Sequence, residues 1–448
     1  MLTMASSSCS VAIIHFILLS VSLFSVSSLP LPDESTSKPK KTFILPIKKD
    51  PATNMFYTTI GIGTPQHSTD LVIDLGGENL WHDCSTRRYN SSSKRNIVCK
   101  SKKCPEGAAC VSTGCIGPYK PGCAISDCTI TVSNPLAQFS SSYTMVEDTI
   151  FLSHTYIPGF LAGCVDLDDG FSGHALQGLP KTTKGIIGFS HSELALPSQL
   201  VLANKLLPKF SLCFPSSNNL KGFGNIFIGA AGGHPQVEPK FLQTTPLVVN
   251  PVATGAVSIY GAPSIEYFID VKAIKIDGHV LNLNSSLLSI DKKGNGGTKI
   301  STMTPWTELH SSLYKPFVQE FVNKASEGRR MKRVASVPPF DACFDSSTIG
   351  NSVTGLAVPS IGLVLPGGVQ WTIYGANSMV VMTSKNVACL AFVDGGMKPK
   401  KMHSMQLEAS VVIGGHQLED NLLVIDMASS KLSFSSSLLL RNATCSQV

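Results

Sequence analysis

Hydrophobic and polar positions alternate in short runs along most of the chain. β-Branched stretches such as FYTTIGIG (56–63), DTIFLSHTYI (148–157), GNIFIGAA (224–231) and IDVKAIKIDGHVL (269–281) are separated by clusters of Gly, Pro, Asn and Ser. That is the turn-punctuated pattern of strands. Apolar residues three or four apart occur in LPSQLVLANKL (196–206) and SLYKPFVQEFVNKA (312–325) and predict helices there. The chain therefore reads as mainly β with a few short helices.

The pattern changes at the N-terminus. VAIIHFILLSVSLF (11–24) is apolar but shorter than the roughly 20 residues of a membrane span, and it runs into Ser25, Ser27 and Ser28. Residues 1–28 read as a secretory signal peptide, and the Pro- and charge-rich 29–41 (LPLPDESTSKPKK) as a flexible leader. No later run is long enough to cross a membrane, so the expected product is secreted, with no membrane partner. A length of 448 residues, 43% of them apolar, is enough for a large core in two domains.

A weak duplication organises that core. VIDLG (72–76) is followed by GIIGF (185–189) and the first helical segment. In the second half TKISTMT (298–304) is followed by the second helical segment and by VVIGGH (411–416). Each half offers a strand ending in a turn and a partner strand ending in glycine, which lets backbone pass close to that turn. These motifs, together with KGIIGFSHSELALPSQL, GFGNIFIGAAGG and VVIGGHQLEDNLLVID, resemble the pepsin-like aspartic proteases of plants. VASVPPFDACF, WTIYGANSMV and twelve cysteines are similar to the group of basic 7S globulins, extracellular dermal glycoproteins and xylanase or xyloglucan-endoglucanase inhibitors. The resemblance implies a bilobal fold of two pseudo-symmetric β domains, an N-terminal lobe over 42–235 with a Cys-rich insertion and a C-terminal lobe over 236–448.

Aspartic proteolysis needs two carboxylates that share a proton and hold one water. Asp74 occupies the first position. At the second, ISTMT puts Ser301 where the aspartate belongs, Thr302 next, and Met303 in place of glycine. A serine hydroxyl is neither acid nor base near neutral pH, so the dyad cannot form and no peptidase is expected. DLGGEN also lacks the hydroxyls that would orient Asp74. Asp277 and Asp394 read as Asp-Gly turns and Asp291 as part of a charged turn, so none replaces the missing acid. Asp74 itself reads as a buried acid bonded to turn amides. The substrate-covering hairpin is expected near 133–150, with Tyr143 its one tyrosine.

Cys9 lies in the signal peptide. The remaining cysteines, Cys84, Cys99, Cys104, Cys110, Cys115, Cys123, Cys128, Cys164, Cys213, Cys343, Cys389 and Cys445, predict six disulfides in an oxidising compartment. Their cluster has no Cys-x-x-Cys knuckle or histidine pair, so neither metal nor cofactor is expected. By resemblance, Cys343 pairs with Cys389 and Cys213 with Cys445. Asn90, Asn284 and Asn442 begin glycosylation sequons. The net charge of +6 is scattered, without interleaved aromatics, which argues against nucleic acid and for acidic partners: wall polysaccharide or a protein with an acidic cleft.

The group includes secreted inhibitors of microbial glycoside hydrolases, which use loops of the C-terminal half. Two loops there carry charge: EGRRMKRVAS (327–336), with Arg329, Arg330 and Arg333, and DGGMKPKKMHSMQ (394–406), with Lys398, Lys400, Lys401 and His403. Glycosidases carry two carboxylates in a cleft, which a cation on a rigid loop can pair with and block. Arginine is the better fork, so Arg330 or Arg333 with Lys400 or Lys401 are the first choices. Solvation, or cleavage at GRRMKR, is the competing reading of the first loop. The sequence thus predicts an extracellular, cell-wall inhibitor of a xyloglucanase or xylanase in plant defence. The alternatives are a basic 7S globulin-like storage or peptide-binding protein and an atypical aspartic endopeptidase.

Overall fold

Six antiparallel strands tie the two halves of the chain together. Phe43–Lys49 pairs with Gly224–Ile228, which pairs with Lys209–Cys213. Lys209–Cys213 then pairs with Leu422–Asp426, which pairs with Lys431–Phe434, and the last of these with Gln243–Val248. The computed structural model describes residues 42–106, 108–112, 126–170, 172–216, 222–229, 238–254, 262–397 and 409–447. Among the described residues no helix is long and apolar enough to cross a membrane.

Each half carries the same strand unit. In the first, His67–Asp74 lies between Phe56–Ile62, antiparallel, and Gly185–Gly188, parallel, with Ile187 opposite Ile73 and Gly188 opposite Asp74. In the second, Thr298–Ile300 lies between Phe268–Ile269, antiparallel, and Val411–Ile413, parallel, with Ile300 opposite Ile413. Leu71, Val72, Ile73, Ile186 and Ile187 are fully buried, as the unbroken apolar runs of strands covered on both faces require. The glycines that close these units have no room for a side chain. A Cβ on Gly188 would lie 2.3 Å from the Gly77 carbonyl oxygen, and one on Gly414 would lie 2.4 Å from that of Trp306. The mainly β, pepsin-like architecture is the one the duplication predicts.

Two predicted elements differ in detail. DTIFLSHTYI is not one strand: Phe139–Leu152 turns at Ser153 and His154, both at positive φ, into Thr155–Val165. The twist of a two-residue hairpin demands that conformation, and the turn lacks the glycine that would have marked it. IDVKAIKIDGHVL divides into three short strands, Phe268–Ile269, Ala273–Ile276 and His279–Val280, the last two joined through Asp277-Gly278. Helix α1 is Leu196–Asn204, stopped by Lys205 in the left-handed region. Helix α2 is Ser311–Asn323, capped by the His310 ring, with Leu313, Tyr314, Phe317 and Phe321 on its buried stripe.

Candidate functional site

Asp74 ends its strand 8% exposed, and its Oδ1 accepts a 2.8 Å hydrogen bond from the Gly76 amide. Its own carbonyl accepts from the amides of Gly77 (3.2 Å) and Phe189 (2.8 Å). Burial pushes the carboxyl up to about 6 against the pull of the Gly76 amide, with Glu266 raising it further and Lys299 offsetting part of that. The carboxyl is therefore a turn-bonded acid that resists ionisation.

Ser301 stands at the equivalent point of the second unit. Its amide donates to the Ile413 carbonyl at 2.9 Å, and its Oγ accepts from the Met303 amide at 3.2 Å. This repeats the contact that Asp74 makes with Gly76. Met303, in the place of a bare glycine, is buried in an apolar cluster with Met55, Val72 and Trp81, against which Phe139 and Tyr143 of the hairpin pack. Thr302 ties the two turns together: its hydroxyl donates to the Ile73 carbonyl at 2.6 Å and accepts from the Leu75 amide at 3.1 Å. The counterpart in the first turn is Leu75, which has no hydroxyl to return the bond. Thr302→Val removes both contacts in a buried site and is expected to cost about 2 kcal/mol in urea unfolding.

A second carboxylate does lie near Asp74, and sequence reasoning missed it. The Ile300 amide donates to the Tyr267 carbonyl at 3.0 Å, and the same register continued one step sets Glu266 opposite Ser301. A Cβ built on Gly76 would lie 2.9 Å from Glu266 Oε1 and 3.5 Å from Asp74 Oδ1, so this turn needs its glycine for the approach. Glu266 is already engaged: Lys299 Nζ lies 2.9 Å from Oε1, and the Thr254 hydroxyl bonds the other oxygen. Both oxygens of Glu266 are thus taken up by partners other than Asp74. The only sequence signal was the strand pairing itself, since Glu266 lies far from Asp74 along the chain.

The hairpin of Ser126–Asn134 and Phe139–Leu152 is anchored to its own half. Trp81 Nε1 donates to the Ser133 carbonyl (3.1 Å) and Asn79 Nδ2 to that of Thr131 (2.9 Å). Near the tip, the buried Asn134 amide donates to the carbonyls of Ala175 (2.8 Å) and Gln177 (2.9 Å). Tyr143 shares a 2.5 Å hydrogen bond with Ser172. Its ring thus serves to hold the hairpin against the 172–177 segment.

The aspartates weighed as replacements hold other structure. Asp291 accepts from the amides of Lys293 and Asn295, and Asp394 from the Gly396 amide and the Ser311 hydroxyl. Asp277 accepts from the Ser360 amide and pairs with Arg329. Arg329 is therefore committed to the Asp277 hairpin. Arg330, at positive φ, and Arg333 are exposed, and Arg333 donates to the Asp341 carbonyl at 3.2 Å. Lys398, Lys400, Lys401 and His403 lie outside the described residues, as do Cys115 and Cys123.

Disulfides join Cys84 to Cys164, Cys99 to Cys110, Cys104 to Cys128, Cys213 to Cys445 and Cys343 to Cys389. Asn90, Asn284 and Asn442 are all exposed, where a glycan meets no packing obstacle. Among the described residues no cluster of His, Cys, Asp and Glu is arranged to hold a metal ion.

The HQLEDN segment supplies a further cluster that the sequence reading did not foresee. Gln417 accepts from the Thr307 amide and hydroxyl and donates to the carbonyls of Asn377 and Ala391. Glu419, 3% exposed, pairs with Lys49 and lies 3.3 Å from His416 Nδ1. Lys49 ends the Phe43–Lys49 strand, so this buried ion cluster links the two halves.

Family models described as "Xylanase inhibitor N-terminal" and "Xylanase inhibitor C-terminal" match residues 56–230 and 266–436. The chain is 40% identical to "Probable aspartic proteinase GIP2" of Nicotiana benthamiana, over 99% of this chain and 98% of that one. Among solved structures, "Crystal structure of edgp" is similar at 40% identity and a TM-score of 0.81, over 90% of this chain and 97% of that one. The soybean basic 7S globulin structure is similar at 30% identity and a TM-score of 0.72, over 91% and 99%. The fold alone extends to an aspartic proteinase from Irpex lacteus, at 14% identity and a TM-score of 0.55, over 89% and 98%.

Proposed function

The chain belongs to the xylanase inhibitor family of pepsin-like proteins, and from that membership we propose that it is a secreted, catalytically silent protein that inhibits a cell-wall-degrading glycoside hydrolase. One observation supports the reading: Ser301 ends the second strand unit at the point where Asp74 ends the first, so that point carries a hydroxyl and not a carboxylate. On this reading the cleft lacks the acid–base pair of an aspartic peptidase, and the protein acts by binding. Arg330 and Arg333 supply exposed guanidinium groups in the C-terminal half, suited to the paired carboxylates of a glycosidase cleft. Secretion into the plant cell wall, glycans on the three sequons and the lysine-rich second loop belong to the same proposal.

Charge reversal tests it. Arg330→Glu with Arg333→Glu is expected to raise the inhibition constant against a susceptible xyloglucanase or xylanase by about a hundredfold without moving the thermal midpoint. Adding Lys400→Glu and Lys401→Glu is expected to abolish inhibition. Unchanged inhibition in the fourfold variant would remove both loops from the contact. The similarity to a soybean basic 7S globulin favours a second reading, storage or peptide binding, which abundant accumulation in seeds as a clipped chain would support.

A further inference from the structure

Beside the basic loop runs a groove of about 390 Å³. Lys315, Val318, Gln319 and Val322 of α2 line one side, and Arg333 and Asp341 line the other. Helix geometry explains its composition. Leu313, Tyr314, Phe317 and Phe321 turn toward the core, and the 100° step per residue leaves Lys315, Val318, Gln319 and Val322 on the adjoining flank. Val318 and Val322 are half-buried and pack against the main core, so the groove has an apolar floor. Lys315, Gln319 and Arg333 are exposed and give it a cationic and amide rim.

The lining residues include one carboxylate, Asp341, beside the Tyr314 phenol, which burial and then that carboxylate push up. Lys315 and Arg333 outnumber that one carboxylate, so an incoming anion meets a net positive rim. Among the described residues that line the groove, the one aromatic, Tyr314, is buried. Arg333 belongs to both the groove and the basic loop, and three residues of chain from Arg330 span at most about 11 Å. A partner held by the loop reaches the groove without leaving the surface.

We infer that this groove is a selectivity contact of the inhibitory surface, taking from the rim of the bound glycoside hydrolase an acidic side chain adjoined by an apolar one. The inference rests on the inhibitory reading. The acid sits between Lys315 and Arg333, the apolar side chain covers Val318 and Val322, and the Gln319 amide bonds partner backbone. Partner glycosidases without an acidic residue at that rim position bind through the loops alone, and more weakly.

The test compares wild-type protein with Lys315→Glu and Gln319→Ala, both exposed and free of core packing, against a panel of purified xyloglucanases and xylanases. Lys315→Glu is expected to raise the inhibition constant of the best-inhibited member about tenfold and Gln319→Ala about threefold, with unchanged thermal midpoints. Lys315→Glu is also expected to flatten the dependence of inhibition on salt, which a merely structural role would not do. If wild-type protein inhibits but both variants inhibit equally well, the groove is overturned and the inhibitory reading stands. If wild-type protein inhibits no member of the panel, both fall. Loss of retention on polygalacturonate by Lys315→Glu, with inhibition intact, would assign the groove to polysaccharide and overturn the inference.

Discussion

Replacing Asp74 by asparagine is expected to stabilise the protein by about 3 kcal/mol at pH 7.5 and to leave its stability nearly unchanged at pH 3.5. The sign follows from the raised pKa of about 6 in the fold, compared with roughly 3.9 in an unfolded chain. The folded state holds the proton more tightly, so the contribution of Asp74 to stability is fully present below about pH 4. It is lost as pH rises through about 6, where ionisation of a buried carboxyl is forced. Asparagine has no proton to lose, and its Oδ1 can still accept from the Gly76 amide. Urea unfolding at the two pH values measures the difference. A variant less stable than wild type at pH 7.5 would mean that the ionised carboxylate has a favourable partner, as in a working dyad.

The second large effect lies in the buried cluster of Lys49, His416 and Glu419. Glu419→Gln removes the carboxylate that Lys49 and His416 share, and it is expected to cost about 3–5 kcal/mol. Combining it with Lys49→Met is expected to recover most of that loss, because desolvating the ammonium is then no longer needed. Burial alone pushes the Glu419 carboxyl up, but His416 and Lys49 more than reverse this, and it ends below the usual carboxylate range. Its contribution is therefore present above about pH 4.3, the unfolded value, and is lost as pH falls below it. Asp74 and Glu419 thus respond to pH in opposite directions. A Glu419→Gln variant within about 1 kcal/mol of wild type would show that the cluster contributes little to joining the halves.

What the sequence made legible was whatever depends on strand periodicity and short motifs. Asp74, Ser301 and the two closing glycines follow from the duplicated pattern, and the Asp277-Gly278 turn follows from its residues. Features made by pairing distant segments were not legible. Glu266 comes to the site only because its strand pairs in one register with the serine strand, and Arg329 meets Asp277 across 52 residues of chain. HQLEDN reads as polar text, yet every one of its side chains is buried, because neighbouring strands and Lys49 supply the partners. The hairpin turn at Ser153-His154 escaped for a local reason: neither residue is of the type that favours positive φ most strongly.

The measurement that tests the inhibitory function most directly is titration of the purified protein into microbial xyloglucanases and xylanases, with residual activity read at each ratio. At least one member is expected to lose its activity as the protein approaches equimolar amounts, while the protein itself cleaves no denatured substrate at acid pH. Full activity across the panel, together with pepstatin-sensitive cleavage that disappears in Asp74→Asn, would contradict that function.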